Sequence, residues 1–305
     1  MRAVVKGMVE RALIASGIAA WRTRGLRGRT LVLAYHNILP PGAQPGEDRA
    51  LHLPLAAFCA QLDLLAATCE IIPLGTIFEH GILESTRPRI AITFDDAYRG
   101  AILAGIPELA RRGLAATVFV PPGLLGAASL WWDDLLASSL TGSSRVTRRE
   151  LLWQHQGRAD LIGKDTGILR RREPLDPHCG IATAEELSRA LAAHPGLEFG
   201  AHSWNHPNLA AISATDLDHE LSRPLEWLNN RFPGRARPWL AYPYGLWSPD
   251  VAAVVKRHGY QAAWRVDGGW SHAPVPDPFT LPRLNIGTGL SLNGIRLRLA
   301  DIGAG

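Results

Sequence analysis

The stretch IAITFDD, residues 90–96, runs a β-rich segment straight into two adjacent carboxylates, Asp95 and Asp96. Ionised groups at the end of a buried strand are costly unless a cation or a proton compensates them. In a parallel α/β barrel, the carboxyl ends of the strands are also where active sites assemble. The bland alternative is that one aspartate caps the following helix while the other is solvated.

Working outward, short β-rich runs alternate with amphipathic stretches. LVLAY (31–35), ATVFV (116–120), LEFGA (197–201), WLAY (239–242), 261–266 and 279–286 join IAITF as strand candidates. Residues 54–68 carry Leu55, Phe58, Leu62 and Leu65 on one helical stripe. A helix over about 100–112 ends before Gly113. Thr183 and Glu186 form a capping box. Residues 215–230 are helical in pattern, with Pro224 expected to kink or interrupt them. Ser248-Pro249 opens a further helix that Gly259 closes. Strands alternating with helices predict a parallel sheet, and seven of them favour a barrel over an open sheet. Residues 129–180 break the rhythm with WWDD and a polar, Arg-rich stretch, and read as an insertion over one barrel end. The chain's 305 residues would allow two domains, but one barrel accommodates residues 31–305 after an N-terminal arm of about 30 residues.

Two further clusters follow strands. HSWNHP, residues 202–207, places His202 and His206 four positions apart, where both imidazoles reach one metal ion. Alone, that spacing is common in any sequence. Joined to a carboxylate it makes a donor set suited to catalytic Zn²⁺, with coordination positions left for water and substrate. The turn YPYG, residues 242–245, aims a backbone N–H toward the same barrel mouth, or is an ordinary strand-to-helix turn.

In these residues the chain resembles the polysaccharide deacetylases, the NodB-type carbohydrate esterases. TFDDA (93–97) is similar to their TFDDG motif with Ala97 in place of the glycine, HSWNHP matches the second motif, and PYG (243–245) ends the third. The resemblance implies a distorted (β/α)-barrel with about seven strands. It also implies a divalent metal cofactor, zinc foremost, held by Asp96, His202 and His206, with Asp95 as general base and the Tyr244 backbone N–H binding the oxyanion. The family's late L-x-x-H motif is absent, but LAYH (33–36) reproduces it at the first strand, as in permuted members, and assigns the general acid to His36. His272 is the poorer alternative. The arginine that orients the base in the third motif is also missing, Ala241 standing there, which leaves Arg237, Arg283 or Arg99 to supply the charge.

Composition narrows the field. The chain is 47% apolar and 20% charged, as in a globular protein. No apolar run is long enough for an ordinary membrane-spanning helix. Cys59, Cys69 and Cys179 are odd in number and far apart, so free thiols are expected. Net charge is +4, but residues 1–30 hold seven basic groups against Glu10, leaving the other 275 residues at −2. A basic arm on an acidic body argues against nucleic-acid binding. Three readings of that arm stay open. It is a helix packed on the barrel, a helix on an anionic membrane surface through Val5, Met8, Val9, Ala12 and Leu13, or a secretory signal. The expected location is accordingly the cytoplasm or the inner membrane face, with the periplasm open. The expected partner is an N-acetylated glycan. An O-acetyl esterase and a catalytically silent glycan-binding protein are the rival readings.

Overall fold

The computed structural model describes residues 2–78, 86–135, 147–164, 173–271 and 277–303, with side chains from Gly7 onward. His272 and much of the expected insertion lie outside the described residues.

The strands are β1 (Thr30–Tyr35), β2 (Asn37–Leu39), β3 (His52–Pro54), β4 (Glu70–Ile71), β5 (Arg89–Phe94), β6 (Ala116–Val120), β7 (Leu197–Ala201), β8 (Ala236–Ala241), β9 (Ala262–Trp264) and β10 (Leu284–Asn285). The helices are α1 (Arg2–Ala15), α2 (Ile18–Gly25), α3 (Leu55–Thr68), α4 (Ile106–Arg111), α5 (Trp131–Asp134), α6 (Arg148–Trp153), α7 (Ala159–Ile162), α8 (Ala184–Ala193), α9 (Ala214–Arg231), α10 (Pro249–Arg257) and α11 (Leu292–Leu299).

Seven parallel strands follow the order β10-β1-β5-β6-β7-β8-β9, with β4 beside the start of β5. A parallel bridge from Trp264 to Leu281 brings the segment leading into β10 against β9, so that segment touches both ends of the row. The sheet therefore curls into the distorted barrel expected. Strands β1, β5 and β6 are buried on both faces, which is why they read as apolar runs rather than as alternating ones. Leu31, Leu33, Ile90, Ile92 and Phe94 join Phe58, Leu62 and Leu65 of α3 in the outer core. Val32, Ala91, Phe119, Trp239 and Trp264 form a separate cluster of their own.

Most helix ends fall where capping chemistry puts them. Thr183 and Glu186 exchange hydrogen bonds at the start of α8, and Ser248 Oγ accepts from the Val251 N–H at α10. Two expectations need correcting. The helix α9 runs unbroken through Pro224, since a proline removes a single intrahelical bond while the flanking turns persist on buried Leu217, Leu221 and Leu228. The last strand is also far shorter than residues 279–286, because only Leu284 and Asn285 pair in register with β1.

The N-terminal arm packs on the barrel, and of the described side chains on its apolar face, Met8, Val9, Ala12 and Leu13, it is Leu13 that is packed. Glu10 is buried and accepts a 2.7 Å hydrogen bond from Ser291 Oγ, and Leu13, Ile14 and Ala19 pack with Leu297 and Ala300. Met8 and Val9 point outward.

Candidate active site

The carboxyl ends of β5 and β7 bring the predicted cluster together. Asp95 and Asp96 follow Phe94, and Asp96 turns into the left-handed region at φ 67°, which swings its carboxylate away from that of its neighbour. His202 follows β7, and His206 also has a positive φ, 58°, so the HSWNH loop doubles back and directs both imidazoles to one point. The His202 Nδ1 lies 2.8 Å from the Ala241 carbonyl at the end of β8, which fixes this nitrogen as the N–H donor and frees Nε2.

Asp96 Oδ1 lies 3.4 Å from His202 Nε2 and 3.1 Å from His206 Nε2, and the two Nε2 atoms are 3.0 Å apart. Ligands about 2 Å from a shared ion leave such gaps between one another. These three side chains are almost fully buried, and they form a group able to hold a metal ion. Asp96 Oδ1 makes no well-directed hydrogen bond despite its burial. A buried anionic oxygen facing two imidazole lone pairs is what a bound cation would satisfy. The donor set therefore fits a divalent ion, and its nitrogen-rich chemistry suits zinc.

Asp95 has a different partner. Its two oxygens each accept a 2.7 Å hydrogen bond from Arg283, Nη1 to Oδ1 and Nη2 to Oδ2. Arg283 is fully buried, and it is braced by Nε donating to the Arg265 carbonyl (3.0 Å) and Nη1 donating to Thr93 Oγ1 (3.2 Å). Burial opposes the Asp95 charge, but the guanidinium, helped by His202 and His36, outweighs it and holds the carboxyl below its ordinary range. Arg283, on the LPRLNI segment, thus fills the place left by Ala241. Arg99 pairs with Glu186 and Arg237 with Glu198 instead.

His36 follows β1, whose register sets Tyr35 opposite Phe94 and so places His36 beside Asp95. It is half-buried, and its Nδ1 is buried without a hydrogen-bond partner. Tyr244 adopts a left-handed conformation (φ 59°, ψ 5°) in the turn after β8, and its ring centroid lies 4.5 Å from that of His206.

A second buried cluster, which carries no local signature in the sequence, flanks the first. Asp133 of α5 contacts His52 Nε2 at 2.7 Å through Oδ1 and accepts a 2.7 Å hydrogen bond from Tyr98 through Oδ2. Trp132 Nε1 donates to the Tyr98 hydroxyl, and the Trp132 ring centroid sits 5.1 Å from that of His206. Trp131 Nε1 donates to the Tyr244 hydroxyl. Both indoles are therefore buried wall rather than open platforms for sugar rings.

The family model for polysaccharide deacetylase matches residues 83–263, more than half of the chain. The chain belongs to the polysaccharide deacetylase family. That match contains Asp95, Asp96, His202, His206 and Tyr244, whereas His36 and Arg283 come from outside it. The chitooligosaccharide deacetylase of Azorhizobium caulinodans is 29% identical over 108 residues, covering 31% of this chain and 50% of that protein. The Bradyrhizobium chitooligosaccharide deacetylase is 28% identical over 88 residues, covering 28% and 40%. The chain thus spans half or less of the length of these curated relatives. The fold is shared with a Streptococcus pyogenes deacetylase solved with acetate (TM-score 0.62, 16% identity, 90% of this chain and 99% of that one). It is also shared with IcaB from Ammonifex degensii (TM-score 0.59, 16% identity, 90% and 97%).

Proposed function

We propose that this protein is a hydrolase that removes N-acetyl groups from an amino-sugar saccharide, with Asp96, His202 and His206 holding a divalent ion, zinc foremost. The observation that carries this reading is a buried carboxylate and two imidazoles converging within 3.0 to 3.4 Å, beside a second carboxylate that does not join them. Family membership and the chitooligosaccharide deacetylase relatives support glycan deacetylation.

The bound ion would polarise the acetyl carbonyl and lower the pKa of a water at the site. Asp95, kept ionised and pinned by Arg283, takes a proton from the water that attacks the acetamide carbon. The Tyr244 backbone N–H, in a turn whose left-handed conformation follows β8, would donate to the oxyanion that develops. His36, across the strand pair from Asp95, delivers a proton to the departing amine, which leaves too poorly to go as an anion.

Acetate release from N-acetylglucosamine oligomers tests this directly. Chelation abolishes activity and Zn²⁺ restores it. Asp95→Asn lowers turnover by about a thousandfold with metal content unchanged, and full activity in that variant sinks the assignment. The ester reading is separated by His36→Ala, which slows an amidase far more than an esterase, because an alkoxide needs less protonation. Against a catalytically silent glycan binder speaks the Arg283–Asp95 pair, which supplies the charge beside Asp95 that Ala241 does not.

A further inference from the structure

We propose that α1 and α2 form a docking surface for an anionic lipid bilayer, in which exposed apolar side chains enter the headgroup layer and an arginine-lined pocket takes lipid phosphates. The proposal does not depend on the metal site or on the deacetylase reading.

Three observations carry it. First, exposed large apolar side chains are concentrated here: Met8 (60% exposed), Val9 (53%), Ile18 (46%) and Trp21 (73%) lie within 14 residues. Among the described residues only three others, Leu103, Trp153 and Leu292, are comparably exposed. Scattered apolar residues need no explanation, but a contiguous exposed set marks an interaction surface.

Second, their helical phase is two-sided. In α1, Glu10, Leu13 and Ile14 face the barrel, and Met8, on one face with exposed Ala12 and Ala15 four and seven positions on, lies opposite. In α2, Ala19 and Thr23 are buried, whereas Ile18 and Trp21 lie opposite. The arm is thus already fastened, through the Glu10–Ser291 hydrogen bond and through Arg22 donating to the Ala300 carbonyl. Its outer stripe is left apolar after packing is complete. An indole at such a position suits the boundary between water and lipid.

Third, the arm is strongly basic, and on its barrel-facing side it borders an arginine-lined cavity. This cavity of about 480 Å³ is lined by Arg24, Arg27, Arg87 and Arg296 over apolar Ile14 and Leu299, and among the described residues no acidic side chain lines it. Residues 1–30 carry +6 while the rest of the chain carries −2. Guanidinium groups bind phosphate oxygens bidentately, and anionic lipid attracts basic surfaces of this kind. The pocket reaches the end of α3 and residues 86–88 ahead of β5, at the amino end of the strands. The carboxyl ends, with Asp95 and Asp96, therefore face away from the bilayer and stay open to a saccharide.

The test is co-sedimentation of the full chain with phosphatidylcholine vesicles, with and without phosphatidylglycerol. Binding is expected to the anionic vesicles and to fall with salt. Trp21→Ser with Met8→Ser lowers partitioning about tenfold or more. Arg24→Gln and Arg27→Gln each lower it about fivefold, on anionic vesicles alone. Circular dichroism and acetate release on a soluble oligomer stay unchanged in these surface variants, which keeps misfolding distinguishable. The proposal is overturned by no vesicle binding, by equal binding to neutral vesicles, by inorganic phosphate binding without vesicle binding, or by a dimer that Trp21→Ser converts to a monomer.

Discussion

Two clusters of buried charge lie side by side at the mouth of this barrel, and they are finished differently. Around Asp133, both carboxylate oxygens, both nitrogens of His52, the Tyr98 hydroxyl and the Trp132 indole N–H find partners, and only the Asn37 Oδ1 at the cluster's edge has none among the described residues. Around Asp96, atoms are left over: Asp96 Oδ1, His206 Nδ1 and the nearby His36 Nδ1 are buried without hydrogen-bond partners. A satisfied network fastens structure, and an unsatisfied one is a place kept for something else. The first cluster ties α5 to β3, and thereby seats Trp132 against His206. The second is the one disposed to bind and react.

That contrast breaks most visibly at Arg283. Its guanidinium and Asp95 are buried together, so Arg283→Met leaves an uncompensated carboxylate inside the protein. A loss of about 3–5 kcal/mol is expected, read as the urea midpoint at constant slope. Turnover falls with it, since Asp95 is no longer held. The double variant Asp95→Asn, Arg283→Met regains much of the stability and none of the activity, because removing both partners of a buried pair is far milder than removing one. A stable, active Arg283→Met protein would mean that Arg283 is not what holds Asp95.

The Asp133 cluster supplies the smaller and opposite signature, in stability rather than turnover. Burial works against a charge on His52, but Asp133, in hydrogen-bond contact, outweighs it and raises the imidazole to about 9. The folded pKa therefore lies above the unfolded value near 6.5. The stabilisation is complete below that unfolded value and is lost as pH rises through about 9. Wild type and His52→Gln should differ most near pH 6 and converge above pH 9, by on the order of 3 kcal/mol. The measurement is the denaturation midpoint of both proteins across that range. If His52→Gln instead removed activity with stability intact, the division between fastening and reacting clusters would be wrong.

Much of the site is legible in the sequence, because its geometry is local. Asp95 and Asp96 are adjacent, His202 and His206 are four apart, and each pair follows a strand. Partners brought together by register are not local. Arg283 meets Asp95 across 188 positions, and it does so because Leu284 pairs with Leu33 while Tyr35 pairs with Phe94. An arginine in LPRLNI is a candidate on sequence alone, yet nothing in its neighbours separates it from Arg99 or Arg237. His52 and Asp133 are 81 apart with no shared spacing rule, so His52 reads only as a polar residue of surface or core. The arm shows the limit of periodicity. Its apolar residues are visible, but a helix with two apolar sides does not reveal which side the barrel takes.

The smallest effect tests the turn that creates the contrast between Asp95 and Asp96. Ala97 stands where the resembling motif has glycine, and it is fully buried with φ 56°, directly after Asp96 at φ 67°. Two consecutive left-handed residues without glycine are strained, at roughly 1–2 kcal/mol per residue. The turn is retained because it is tied on both sides: the Ala97 N–H donates to the Asp95 carbonyl, and the Ala97 carbonyl accepts from the Ala182 N–H. Ala97→Gly relieves the strain at that position but enlarges the freedom of the unfolded chain, which offsets about 0.4–1 kcal/mol. The net expectation is a stabilisation of no more than about 1 kcal/mol, seen as a raised unfolding midpoint. Turnover is expected to change little, since the ties to Asp95 and Ala182 are backbone bonds that glycine keeps. A destabilised Ala97→Gly protein would show that the methyl group's packing, rather than the backbone conformation, is what this position contributes.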